Sequence, residues 1–276
     1  MSNLIDDPIL ASFDGRYNAA FVALHPFCFV PGIRPSDFRP MTTAVAVSPG
    51  DELEPEDMIA RLKQGDPSKF STTALLELEK RVGVTVRWSA VIDELGLHDH
   101  RALDRVLRTS ILGIREHLMD REGELRLNTL VEARGLIQPS EGRIQARMER
   151  PLGEMFRRAG LEHVLLQDEF GDFSVHLDVE RLLADECVTC SNDIMGAPPL
   201  WANLDGHVTG FSPQCITSTC GGIRAVVEWD SFFTVLFGQH NELVRLDIPS
   251  LFEGFWCEPA TEIFWLQQPV IDLANR

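Results

Sequence analysis

Between residues 71 and 160 the apolar positions recur at helical spacing, whereas from Leu161 onward they alternate or gather in short runs. That change of period marks a helical stretch followed by a β-rich one. Hydroxyls in Ser71-Thr72-Thr73 can cap a helix over residues 74–82, which Gly83 stops. Trp88–Leu95 reads as a second helix with Gly96 as its C-cap. His98 or Asp99 opens a third, expected to be the longest and to reach about Leu118. It carries Leu103, Val106, Leu107, Ile111 and Ile114 on one stripe. Two further helices are expected over residues 125–134 and 143–159, parted by Gly135 and the turn Pro139-Ser140-Glu141-Gly142.

Beyond Leu161, residues 163–167 and 173–177 flank a polar turn at 169–172 and predict a β-hairpin. A short helix is expected over 178–185. Strand candidates follow at residues 201–204, 207–211, 222–229, 243–248 and 262–266. Asp230 is placed to N-cap a turn or helix over 231–237, closed by Gly238, and Phe232 and Phe233 are expected in the core of this half. Ahead of the helices, residues 1–57 look irregular, but the apolar run 21–30 suits a buried strand. Pro31, Pro35 and Pro40 exclude a long helix after it. Residues 54–62 read as a short helix with Pro55 near its start. The pattern predicts an α+β fold, helices first and a mostly antiparallel sheet after. Its parts are an irregular segment 1–70, a helical region 71–160 and a β-rich region 161–276, the last two forming one unit.

Charge sharpens that division. Residues 161–276 hold 18 acidic side chains against four arginines and no lysine, so about −14 of the chain's net −17 lies there. Five of the six cysteines and four of the five tryptophans share that region. A single-sign field of this kind repels nucleic acid and anionic membrane and attracts basic proteins or metal cations. No run of eighteen apolar residues is present, and the N-terminus lacks a basic-then-apolar leader. With sparse cysteines, both absences predict a cytoplasmic protein.

Cys187 and Cys190, two residues apart, followed by Cys215 and Cys220, form the sharpest chemical constellation. Two such pairs can complete the tetrahedral thiolate cage of zinc. The second pair is looser than usual, and ordinary free cysteines explain the four better. The short helix, Gly96 and longer helix have helix–turn–helix outline, yet acids cancel the arginines along them, so a packed helical pair is the better account. His98-Asp99-His100 reads as a helix cap rather than a metal site, and His25 as a core histidine. Asp168, Glu169 and Asp172 lack the ligand count of a calcium loop. No hydrolase elbow, phosphate loop, dinucleotide fingerprint or zinc-protease motif occurs, so catalysis has no named candidate. Two functions remain: a non-catalytic, immunity-like protein whose acidic face binds a basic partner, or a metal-dependent enzyme of unrecognised chemistry.

Three motifs, Leu24-His25-Pro26-Phe27, Leu107-Arg108-Thr109-Ser110-Ile111-Leu112-Gly113 and Trp229-Asp230-Ser231-Phe232-Phe233, carry a resemblance. Over roughly residues 20–240 the chain resembles an uncharacterised bacterial family, known from firmicute genomes as a domain of unknown function. The resemblance implies a cytoplasmic bacterial origin and brings no activity, cofactor or catalytic residue.

Overall fold

The apolar run near the N-terminus makes the strand in the middle of the structure. Ala19–Leu24 forms β1, with all six residues buried, and Pro26 separates it from β2, Phe27–Phe29. The structure is a computed structural model that describes residues 8–10, 15–34, 72–111, 114–168, 174–189, 214–228 and 230–262. The chain continues through α1 (Thr72–Val82), β3 (Val84–Val86), α2 (Trp88–Leu95) and α3 (His100–Ser110). A 3-10 turn at Glu116–Leu118 leads to α4 (Arg121–Arg134), β4 (Leu136–Ile137) and α5 (Ala146–Arg158). The hairpin β5 (His163–Gln167) and β6 (Ser174–Asp178) precedes α6 (Val179–Leu183), β7 (Cys215–Ser218), β8 (Arg224–Val226) and β9 (Phe233–Gly238). Helices α7 (His240–Arg245) and α8 (Ile248–Leu251) and strand β10 (Gly254–Trp256) complete the described elements.

Seven strands form one antiparallel sheet in the order β10-β1-β9-β8-β7-β5-β6, and β3-β2-β4 form a small second one. Because successive strand residues face opposite sides, β1 feeds two cores. Ala20, Val22 and Leu24 pack with Trp88, Leu103, Leu107 and Phe233 beneath α2, α3 and α4. Ala19, Phe21 and Ala23 pack with Met148, Leu152, Phe156 and Leu236 beneath α5. The class is α+β as expected, with one difference of order: a strand from the N-terminal segment, not from the β-rich half, lies between β9 and β10.

Local signals placed several elements closely. Helix α2 spans Trp88–Leu95, and Gly96 closes it at φ 62°, a conformation glycine adopts without strain. Asp99 N-caps α3 by accepting from the Ala102 N–H at 2.9 Å, so the His98-Asp99-His100 triplet is a helix start. Helix α3 ends at Ser110, short of Leu118, where the Thr109 and Ser110 hydroxyls bond back to the carbonyls of Arg105 and Leu107. The longest described helix is α4, which begins four residues earlier than expected. Asp120 caps it through the Gly123 N–H at 2.8 Å, and Gly123 lies so close beneath Val106 that a Cβ would fall 2.6 Å from Val106 Cγ2.

Two expectations in the C-terminal half are corrected. Residues 243–248 are not a strand: 243–245 end α7, Leu246 and Asp247 form a turn and Ile248 opens α8, with Leu243 and Leu246 buried three apart while Val244, Arg245 and Asp247 are exposed. Residues 233–238 form the fully buried strand β9 rather than a helix, because a strand covered on both faces reads as an unbroken apolar run. Asp230 is therefore not a helix cap. It is exposed with φ 57°, in a turn closed by the Ser231 N–H and the Glu228 carbonyl. Phe232 and Phe233 are buried at 2% and 0% exposure, as expected of the core. The expected helix at 54–62 and strands at 201–204 and 207–211 lie outside the described residues.

Candidate functional site

Polar chemistry concentrates inside the molecule, along the segment that leads into α5. Helix α1 presents Leu76, Glu79, Lys80 and Gly83 at spacings of three and four, so its inward stripe carries two charged residues. Lys80 and its partner Glu149 on α5 are both fully buried and lie 2.5 Å apart. The ammonium group also donates to the carbonyls of Glu186 at 2.5 Å and Arg181 at 3.4 Å. Glu149 in turn accepts from the Thr189 N–H (2.7 Å), the Thr189 hydroxyl (2.5 Å) and the Cys187 thiol (3.3 Å) at Oε1. At Oε2 it accepts from the Val188 N–H at 3.0 Å and from Lys80. Five donors on one buried carboxylate offset its desolvation, and three residues among them, 187–189, are clipped onto α5.

One residue back, Glu79 is 2% exposed and less well served. Its Oε2 makes no close hydrogen bond, and the side chain of the neighbouring Gln145, itself 1% exposed, is the weakest of the influences that favour its charged form. Burial pushes the Glu79 carboxyl up to about 7, against the pull of Arg143 and Arg147. Arg147 spends its guanidinium on the carbonyls of Glu79 and Lys80 and the Thr85 hydroxyl, which closes the C-terminal end of α1.

His25 stands at the other end of this seam, fully buried, with every polar atom engaged. Its N–H donates to the Phe232 carbonyl and its own carbonyl accepts from Trp88 Nε1 at 2.6 Å. Nδ1 lies 3.2 Å from the Ser140 carbonyl and Nε2 2.8 Å from the Thr234 hydroxyl. That arrangement fits the tautomer protonated at Nδ1. Burial drives its pKa down to about 4, so it stays neutral. His25 is a core histidine that ties β1 to β9, α2 and the loop before α5. Two of the three resemblance motifs, Leu24-His25-Pro26-Phe27 and Trp229-Asp230-Ser231-Phe232-Phe233, thus meet at one hydrogen bond. A second buried ion pair, Arg108 Nε to Asp104 Oδ2 at 2.6 Å, lies within α3, and burial raises Asp104 to about 6.

The sequence-predicted cysteines fall in separate surroundings. Cys187 belongs to the Glu149 network, whereas Cys215 on β7 lies among Gln167, Thr217 and Arg224. Cys220 is exposed beside Ser218, whose hydroxyl, with the Gly222 N–H, holds its thiol below the usual range. Cys190 lies outside the described residues. Among the described residues no group of three or more His, Cys, Asp or Glu is disposed to hold a metal ion. His100 faces Glu253 at 3.9 Å rather than His98; of Asp168, Glu169 and Asp172, the last two lie outside the described residues. Helices α2 and α3 form a packed pair against β1, as the helix-pair account required.

Sequence reasoning missed Lys80, Glu79, Glu149 and Gln145. A signal was present: Glu79 and Lys80 continue the stripe begun by Leu76, and Glu149 falls in phase with Leu152 and Phe156. Glu253, which caps the first turn of α2 through the N–H groups of Trp88 (2.7 Å) and Ser89 (2.9 Å), carried no such signal. Burial opposes its charge, but hydrogen bonds from His100, Ser89 and Trp88 outweigh that and lower its pKa.

An α+β protein with a buried charge seam and no membrane-crossing helix among its described residues is the class this structure defines. Residues 5–197 match the family described as protein of unknown function (DUF2711), and the chain belongs to that family. The match begins and ends earlier than the resemblance implied. It includes the first two motifs and leaves the Trp229 motif outside. No curated protein and no solved structure matches the chain.

Proposed function

We propose that this is a cytoplasmic, non-catalytic interaction protein whose acidic edge, β6 with α6, receives a basic protein partner. The observation that carries the reading is where exposed acid meets an open strand. Among the described residues β6 is the outermost strand of the large sheet, with Ser174, His176 and Asp178 exposed, and it contains neither lysine nor proline. Lysine and proline are common guards of such edges. Here the exposed groups nearby are Glu162, Asp178, Glu180, Asp185 and Glu186, against Arg150 and Arg181. An acidic edge repels other acidic strands and favours a basic extended segment. Buried Lys80, Glu149 and His25 are engaged in joining elements, which supports a structural use for them rather than catalysis.

The test is affinity capture with the wild type and with a variant carrying Glu162→Lys, Asp178→Lys, Glu180→Lys and Glu186→Lys. A basic protein retained by the wild type at low salt, released at about 0.5 M salt and not retained by the variant is the expected result. Recovery of no such protein, or equal recovery by both, overturns the reading.

A further inference from the structure

Hydrogen-bond parity along the hairpin fixes which backbone groups β6 turns to its open edge. The Val179 N–H donates to the Glu162 carbonyl at 2.8 Å, and the β5–β6 register sets His163 against Asp178 and Gln167 against Ser174. Hydrogen-bonded and non-bonded pairs alternate along an antiparallel ladder. The bonded pairs are therefore Val164 with Leu177 and Leu166 with Val175. Ser174, His176 and Asp178 direct their backbone N–H and C=O groups away from β5, to the side where no further strand lies among the described residues. Side chains follow the same alternation. Those of Ser174, His176 and Asp178 are exposed on one face, where Asp178 meets His163 at 2.7 Å yet stays 65% exposed. On the opposite face Leu177 joins the core shared with α5 and α6, and Val175 is half-buried.

We propose that this edge takes an added antiparallel strand from another protein, in which basic and apolar residues alternate. The inference rests on the acidic-edge reading and adds the form of the partner. Every second residue of such a strand directs its N–H and C=O groups to those of Ser174, His176 and Asp178. The same residues place their side chains on the face of Asp178, where a cation lies beside the carboxylate and near Glu162 and Glu180. The residues between them face the side of Val175 and α6, where apolar side chains extend the covered face. Antiparallel addition is the form chosen because every pair in the large sheet is antiparallel and such pairing is the more stable per residue. A basic helix would meet the acids but leave the outward N–H and C=O groups of β6 to water.

The probe is the peptide acetyl-Lys-Val-Lys-Val-Lys-Val-Lys-amide, titrated at low salt into the full wild-type chain and followed by backbone amide NMR. Binding that shifts the amides of Ser174, His176 and Asp178 is the expected result. N-methylation of the two inner lysines removes donors aimed at β6 and should weaken binding at least ~10-fold. N-methylation of two valines removes donors aimed at solvent and should change binding less than about threefold. Parallel addition reverses that parity, so a larger loss from the methylated valines overturns the proposal, as do equal effects at both sets. The variant carrying Glu162→Lys, Asp178→Lys, Glu180→Lys and Glu186→Lys separates the strand from the reading beneath it. Binding lost in that variant but indifferent to methylation keeps the acidic edge and discards the strand. Binding undiminished in that variant discards both. Absence of peptide binding to the wild type overturns the strand, while the acidic edge is then decided by the capture experiment.

Discussion

Lys80 and Glu79 are neighbours on one helix, equally buried and facing the same partner helix, yet the fold treats them oppositely. Around Lys80 every donor and acceptor is matched, down to the N–H groups of Val188 and Thr189. Around Glu79 the close matching stops at its backbone carbonyl: Oε2 makes no close hydrogen bond, and Arg143, Arg147 and Gln145 together do not offset the burial of the carboxyl. Depth of burial therefore does not decide the behaviour of an interior charge; the supply of hydrogen-bond partners does.

The comparison breaks most visibly if Glu149 is removed. Glu149→Ala strands the Lys80 ammonium and frees residues 187–189, and should cost about 3–5 kcal/mol in chemical denaturation. A cost below about 1 kcal/mol would mean that the saturated side is no better founded than the orphaned one. Glu79→Gln should act in the opposite direction. The folded carboxyl is more basic than the unfolded one, so its stabilising state is fully present below about 4.5 and lost as pH rises through about 7. Gln mimics the protonated form, so the variant should gain up to about 3 kcal/mol at pH 8 and match the wild type near pH 4. The smallest effect is expected from Cys187→Ser. The hydroxyl keeps a donor for Glu149, so stability should change by less than about 1 kcal/mol, equally with and without a chelator. A chelator-induced loss confined to the wild type would place zinc on Cys187 instead.

What the sequence disclosed was local. Gly96 and Asp99 fixed the boundary between α2 and α3 because each acts on backbone groups within a few residues. The apolar run at Phe21 announced a buried strand, though not that it would lie between β9 and β10. That placement depends on residues more than two hundred positions away. The interior charges were passed over because a string such as Leu76-Glu77-Leu78-Glu79-Lys80-Arg81 looks like a solvated helix when charges are counted rather than phased. Phasing recovers Glu79 and Lys80, but nothing in it separates the satisfied residue from the unsatisfied one. Their difference comes from Glu149 and the 186–189 segment, which arrive from elsewhere in the chain.

The position of β1 also bears on how the protein is made. Its partners β9 and β10 begin about two hundred residues later, and the first turn of α2 waits for Glu253. At ~5–20 residues per second the ribosome takes about 10–40 s to deliver β9 after β1 has emerged. Through that interval the hexapeptide Ala19-Ala20-Phe21-Val22-Ala23-Leu24 is a nascent strand without a mate, apolar at every position. Its first contacts are therefore with whatever receives new chains at the exit tunnel, and the large sheet closes only once synthesis has passed Trp256.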